Sequence, residues 1–383
     1  MMKKILEYIG GDKTIWIVVL ILSFISLTAV YSSTGTLAYK YQGGHTEFYL
    51  FKHLSILVMG IGLMYLAHLI PYKYFSRISQ LLIFISIPLL LLTLVTGTNL
   101  NEASRWLTLP VINISFQTSD LAKLALIMYV ARLLAKKQEE IKDLRQAFVP
   151  IMVPIILTTG LILPANFSTA AVLFATSLVL LFIGRINFKY IIGIIGIGVI
   201  GFLLLLMIAK VNPNVLPRLD TWVARFESFS DKDSEGNYQA DQAKIAIATG
   251  DFFGKMPGNS VQRNFLPHPY SDFIFAIIVE EYGLIGAIII LMLYLIFFYR
   301  SVRIASNSPG TFGAFLSIGL AFSLVFQAMI NMMVAVNLLP VTGQPLPLLS
   351  MGGTSIWFTS ISIGIILSVS KESTNQPEEY ATA

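Results

Sequence analysis

The sequence predicts an all-α, polytopic membrane protein with about ten transmembrane helices and both termini in the cytoplasm. Composition is the first reason. Of 383 residues, 55% are hydrophobic and only 12% are charged, about half the charged share of an ordinary soluble domain. The second is the recurrence of apolar runs of membrane-spanning length, roughly 17–25 residues, from one end of the chain to the other. Orientation follows from the basic residues. Roughly fifteen of the 26 Lys and Arg fall in the segments that become internal if the N-terminus is inside, against about ten near the outer face.

In chain order, "IWIVVLILSFISLTAV" follows a basic arm that lacks a small-residue cleavage site, so it reads as a retained helix and not a signal peptide. "FKHLSILVMGIGLMYLA" and "LLIFISIPLLLLTLV" are plain apolar spans. An outer segment, "TGTNLNEASRWLTLPVINISFQTSD", leads to the amphipathic "LAKLALIMYVARLLA" and the short "FVPIMVPIILTTGLIL". "AAVLFATSLVLLFIG" and "YIIGIIGIGVIGFLLLLMI" complete the first seven spans. A large extracytoplasmic loop over 210–270 then separates helices seven and eight. It holds the helix-like "LDTWVARFESF", the acidic "SDKDSEGN" and the segment "YQADQAKIAIATGDFFGKMPGNS". "FIFAIIVEEYGLIGAIIILMLYLIFF" and "FGAFLSIGLAFSLVFQAMINMM" follow. The outer loop "AVNLLPVTGQPLPLLSMGGTS" comes next, then "SIWFTSISIGIILSV" and a short cytoplasmic tail over 371–383. The whole chain, 1–383, reads as one transmembrane domain. No internal repeat supports a transporter of two inverted halves.

Chemistry is bounded by what is missing. With no cysteine there is no disulfide, zinc thiolate or thiol nucleophile, and the 4 histidines show no metal-ligand spacing. The net charge of +5 is largely explained by topology, and no nucleic-acid partner is expected. Three polar clusters face the outer side. Asp120 and Lys123 stand at i, i+3 and can pair on one helix face, near Arg105 and Trp106, which could equally be an interfacial anchor. The long loop carries Arg225, Gln239, Gln242, Lys244, Lys255 and Arg263, and any one of these is explained first by the charge and polarity that a solvated loop carries anyway. The glycines and amides of "GDFFGKMPGNS", with Lys255, could hold a pyrophosphate. Asp272 stands at the outer mouth of the eighth span, where it can serve as an N-cap or, half shielded beside a cation, as a general base. Glu280 and Glu281 lie two to three turns deeper and read as pairing or cavity-lining groups. Gln327 and Asn331 offer polar groups to the bundle interior. The last outer loop, with Ser350, Gly352 and Gly353, is broken by prolines and glycines, so it either lines a cavity or packs under the outer surface.

These blocks together resemble a known family. "NLLPVTGQ" followed by "PLPLLSMGGTS", with "SDFIFAIIVEEYGLIG", "FFGKMPGNS", "NEASRW" and "QTSDLAKLALIMYVARLL" in the same order, is similar to the shape, elongation, division and sporulation (SEDS) family, FtsW/RodA/SpoVE. The resemblance spans nearly the whole chain. It implies a peptidoglycan glycosyltransferase that polymerises lipid II at the outer face of the bacterial cytoplasmic membrane. It also implies a class B penicillin-binding transpeptidase as partner, among other divisome or elongasome membrane proteins. By resemblance Asp272 is the catalytic base. Lys123, Asp120, Arg105, Arg225, Gln242, Lys244, Lys255, Asn259 and Ser260 bind substrate. Trp106, Glu281, Gln327, Asn331, Ser350, Gly352 and Gly353 line the cavity. No protein metal site is expected, although a divalent cation, Mg or Mn, could accompany the pyrophosphate. The N-terminal region looks more like the division branch, which places the protein at the septum; an elongation-type polymerase or a lipid II flippase are the alternatives. The chain departs from the family pattern at Asn166, where an aspartate is common. Asp120 replaces a glutamate, and "SMGG" replaces Ser-Tyr-Gly-Gly.

Overall fold

The structure is a computed structural model that describes residues 10–96, 98–100, 103–109, 114–211, 225, 229 and 238–375. Each apolar run named above is helical over most of its length. The helices are α1 (Lys13–Ser33), the short α2 (Gly35–Tyr41), α3 (Thr46–Leu69), α4 (Tyr72–Thr96), α5 (Thr118–Lys136), α6 (Val149–Ile162), α7 (Phe167–Ile183) and α8 (Phe188–Val211). After them come α9 (Tyr238–Gly250), α10 (Ile274–Ser306), α11 (Thr311–Ala335) and α12 (Thr354–Asn375). Seven helices among the described residues are long and apolar enough to cross a bilayer, and α7 and α8 add shorter apolar stretches. The chain is an integral membrane protein with a mostly helical fold. Of the expected helix-like stretch in the long loop, only Arg225 and Phe229 are described, both helical; the acidic run beside it lies outside the described residues.

One element is not helical. Between α4 and α5 the outer segment folds into an antiparallel sheet of order β1-β2-β3, formed by Thr98–Leu100, Ala103–Leu109 and Ile114–Gln117. Trp106 lies opposite Gln117, the residue that leads directly into α5. The sheet therefore holds Trp106 beside the α5 N-terminus.

Contacts at the two ends of the bundle give the helices their polarity. At one end, Asp12 caps α1 by accepting from the Thr14 and Ile15 amides at 2.9 and 3.2 Å. The same carboxylate pairs with Arg300, near the end of α10, at 2.5 Å. Lys73 at the start of α4 meets Glu372 at the end of α12 at 3.8 Å. At the other end lie the starts of α5, α7, α10 and α12. That alternation matches the basic-residue asymmetry, with the Arg300 end inside. Small residues let α3 and α12 approach closely. A Cβ on Gly60 would lie 2.8 Å from Ser360 Oγ, and one on Gly364 would lie 2.3 Å from Met64 O.

The helix α10 is broken. Gly283 has φ +68° and ψ −165°, outside any helical range, and only glycine adopts that conformation readily. The backbone of Asp251–Lys255 fills the gap. Asp251 O accepts from the Leu284 amide at 3.0 Å, and the Lys255 amide donates to Glu280 O at 2.9 Å. A loop segment thereby completes hydrogen bonding that the helix abandons, as backbone inside a membrane protein requires.

Candidate active site

The segment Tyr270–Asp272 has no regular secondary structure, yet each of its carbonyls is held. The Met351 amide donates to Tyr270 O at 2.9 Å. Ser350 Oγ donates to Ser271 O at 2.6 Å, and Asn331 Nδ2 donates to Asp272 O at 2.8 Å. Asn331 also donates to Gln344 O at 2.7 Å, and Ser350 Oγ accepts from the Leu346 amide at 2.7 Å. The proline- and glycine-broken loop before α12 is thus a splint for Asp272. It does both things expected of it: Leu346, Leu348 and Leu349 are buried, while Gly343–Pro345 and Met351–Gly353 line a cavity. Asp272 is not a helix cap. It precedes the N-cap Phe273, and α10 has no side-chain cap bond. Its Oδ1 accepts from Ser271 Oγ at 2.9 Å.

That cavity, about 360 Å³, brings together Asp272, Asp120, Lys123 and Trp106 with Gly352 and Gly353. Lys123 pairs with Asp120 at 2.7 Å and reaches Gln327 Oε1 at 3.4 Å. Asp272 and Lys123 therefore share the cavity, but the ion pair of Lys123 is with Asp120. Asp120 Oδ2 is buried without a partner among the described residues, and an atom so placed can accept from a hydroxyl or amide that enters the cavity. Gln327 donates to Pro345 O at 2.8 Å, so it braces the same loop. Asn166 Oδ1 accepts from the Thr169 amide at 3.2 Å and caps α7 while lining the cavity. Arg225 Nη1 donates to Val341 O at 3.1 Å. Burial lowers the Arg225 guanidinium from its ordinary value, and the Asp272 charge opposes that shift. Burial raises the Tyr270 phenol, and Tyr49, Tyr41 and Asp272 add to it.

A sequence profile of the FtsW/RodA/SpoVE family, described as cell cycle proteins, matches residues 12–375. The chain belongs to the FtsW/RodA/SpoVE family. It is 32% identical over 373 residues to "Probable peptidoglycan glycosyltransferase FtsW" of Trichlorobacter lovleyi, covering 96% of this chain and 94% of that one. It is 33% identical over 371 residues to "Stage V sporulation protein E" of Bacillus subtilis, covering 94% and 97% of the two chains. In fold it resembles the rod shape determining protein RodA of Thermus thermophilus, with a TM-score of 0.69 at 22% identity over 96% of this chain and 98% of the other. It also resembles a chain from a structure described as "Structural coordination of polymerization and crosslinking by a peptidoglycan synthase complex". There the TM-score is 0.74 at 23% identity, over 96% and 99% of the two chains.

Other expected site residues of this FtsW/RodA/SpoVE chain lie elsewhere. The segment "GDFFGKMPGNS" does hold an anion, but the anion is Glu280. Lys255 Nζ pairs with Glu280 Oε1 at 2.7 Å, Ser260 Oγ donates to Oε2 at 2.5 Å, and the Val261 and Gln262 amides donate at 3.1 and 3.2 Å. Lys255 and Ser260 are thereby occupied, and Asn259 bonds back to Lys255 O at 2.9 Å. Glu281 is not a cavity-lining group. It is 1% exposed and accepts from Ser32 Oγ, with Arg263 donating to the same Ser32 hydroxyl at 3.1 Å. Lys244 is an exposed partner of Asp241 at 2.7 Å, and Gln242 shares that half-exposed helix α9; neither lines the cavity around Asp272. Ser350 and Asn331 act behind the wall rather than on it. Arg105 falls in β2, and its side chain lies outside the described residues. Sequence reasoning missed Lys52 and Gln117, both on the cavity wall. Lys52 opens the second span in the stretch "FKHLS", and a lysine that close to an apolar run signals either snorkelling or a wet cavity.

Proposed function

We propose that this chain is a peptidoglycan glycosyltransferase that polymerises lipid II into glycan strands at the outer membrane face, for septal synthesis during cell division. The observation that carries the reading is the splinted carboxylate of Asp272 on the wall of a polar cavity, shared with the Asp120–Lys123 pair. Asp272 would take the proton of the acceptor 4-hydroxyl as its oxygen attacks the anomeric carbon of the donor. The bond from that carbon to the pyrophosphate oxygen breaks, undecaprenyl pyrophosphate leaves, and the anomeric configuration inverts. Lys123 and Lys52, both lysines of the cavity wall, would stabilise the charge that develops on the leaving group. Among the described residues no group of three or more His, Asp or Glu could hold a metal alone. A magnesium-type ion bound mainly through substrate phosphates needs only one or two carboxylates. Asp272 and Asp120 are the carboxylates that would hold it, and it would supply neutralising charge.

Relatives named as glycosyltransferases, and a neighbour from a complex that couples polymerisation to crosslinking, support pairing with a class B penicillin-binding transpeptidase. The test is to reconstitute the purified chain with its cognate transpeptidase and labelled lipid II. Long glycan from the native protein is the expected outcome. Lipid II that changes leaflet without forming glycan would replace this reading with a flippase.

A further inference from the structure

Next to Lys52 on α3 stands His53, a fully buried side chain that the glycosyl transfer does not use. Lys52 and Ile56 line the polar cavity. One helical step, about 100°, turns His53 away from it and toward α1. There His53 Nε2 lies 2.7 Å from Ser26 Oγ, and Ser26 Oγ lies 2.8 Å from Leu349 O. A carbonyl only accepts, so the single hydroxyl proton of Ser26 goes to Leu349 O. The His53 contact is then a donation, from Nε2–H to the Ser26 oxygen. Nδ1 has no partner among the described residues, which agrees with the ring proton lying on Nε2. The hydrogen bonds run one way, from α3 through α1 to the loop before α12.

Ser26 differs from other hydroxyls of the bundle. Thr159, Thr176, Ser177, Ser301 and Ser362 each donate to the carbonyl four residues earlier in their own helix. That is the bond a helical hydroxyl makes when nothing else directs it. Ser26 instead reaches a carbonyl 323 residues away, with the His53 N–H holding its oxygen from the other side. Leu349 directly precedes Ser350, whose hydroxyl donates to Ser271 O, beside Asp272, at 2.6 Å. Elsewhere in this loop the carbonyls of Gln344, Pro345 and Pro347 are held by Asn331, Gln327 and Tyr294 at 2.7, 2.8 and 2.5 Å. The Ser26 bond is the last of these braces before Ser350.

We propose that His53 is a positioning residue for Asp272. Its N–H sets the direction of the Ser26 hydroxyl, which fixes Leu349 and keeps Ser350 under the Ser271 carbonyl. The proposal rests on reading Asp272 as the base of the glycosyl transfer. His53 itself touches neither the cavity nor the reacting atoms. Without its N–H, the Ser26 hydroxyl is free to turn back to Leu22 O, four residues earlier, and the buried Leu349 O loses its partner.

The test uses the full chain in lipid nanodiscs with its partner transpeptidase and lipid II. His53→Leu keeps the bulk and removes the donor, whereas His53→Gln places an amide N–H near the position of Nε2. His53→Leu should lower kcat for glycan elongation by about tenfold with KM held, and His53→Gln should restore most of it. Ser26→Ala should match His53→Leu, and the double variant should lose no more than either alone, since both break one path. His68→Leu, at the buried inner end of α3, is the control and should keep the native kcat. Hydrogen exchange read by mass spectrometry needs no turnover. Peptides over 268–273 and 344–352 should exchange about tenfold faster in His53→Leu and at the native rate in His53→Gln. Native kcat in His53→Leu would overturn the proposal. So would a loss that His53→Gln does not recover, the mark of a residue that only packs. A raised KM would overturn it too and give the effect to Lys52. Failure here is separable from failure of the glycosyltransferase reading. A native chain that makes glycan, with exchange unchanged in His53→Leu, loses only this proposal. A native chain that makes no glycan, with exchange quickened in His53→Leu alone, keeps the brace and loses the base.

Discussion

At the scale of single residues, Asp272, the proposed base, lines the polar cavity, whereas Glu280 holds structure. Glu280 is fully buried and accepts four bonds, from the Lys255 ammonium, the Ser260 hydroxyl and the Val261 and Gln262 amides. Replacing it with glutamine leaves donors without an anion, at a cost of about 1–3 kcal/mol. Glu280→Gln should therefore lower the unfolding temperature in detergent. Lys255→Met added to it should cost less than the sum of the two changes, since both touch one pair. On the cavity wall, Lys123 is neutralised by Asp120 at 2.7 Å, whereas Lys52 stands outside any ion pair among the described residues. Lys52→Gln should raise KM for lipid II by about tenfold, the worth of one charge-assisted phosphate contact. Steady-state kinetics of purified protein checks this, and an unchanged KM would remove Lys52 from the substrate. The sequence made Asp272, Asp120 and Lys123 legible, because acidic groups and an i, i+3 pair beside apolar runs need a reason. Lys52 stands at the edge of an apolar run, where snorkelling explains a lysine as well as a cavity does, and only folding shows that it faces the cavity.

Among elements, the decisive ones are the loop that splints Asp272 and the break in α10. Ser350 Oγ bridges Ser271 O and the Leu346 amide at 2.6 and 2.7 Å. Ser350→Ala should free the Asp272 segment, so that kcat falls by about tenfold or more through misplacement while KM holds. Equal losses in kcat and expression would instead mark a folding residue. At the break, a Cβ on Gly283 would lie 2.4 Å from Phe252 O, at a φ of +68°. Gly283→Ala should destabilise by several kcal/mol, about 2–4, seen as a large drop in unfolding temperature. The apolar runs became helices because length and hydropathy are local properties. The outer sheet did not announce itself: Ala103–Leu109 alternates only weakly, and its pairing with Ile114–Gln117 is a tertiary event. Nor did "EEYGLIG" reveal a broken helix, since the backbone that fills the gap comes from Asp251–Lys255, about thirty residues earlier.

Over the whole molecule, the bundle has a polar outer end built around Asp272 and an inner end closed by ion pairs, Asp12 with Arg300 and Lys73 with Glu372. The chain has no native cysteine, so single cysteines report sidedness cleanly. In intact spheroplasts, an impermeant maleimide should label His268→Cys and spare Lys73→Cys until the membrane is opened. The reverse pattern would invert the topology. The central claim is that Asp272 is the base of a polymerase, and the rate of glycan elongation measures it most directly. Native protein and Asp272→Asn are compared with the partner present, and lipid II binding is measured in parallel. The account predicts elongation slower by about 10²–10⁴-fold with binding retained. Elongation at the native rate in Asp272→Asn would contradict it.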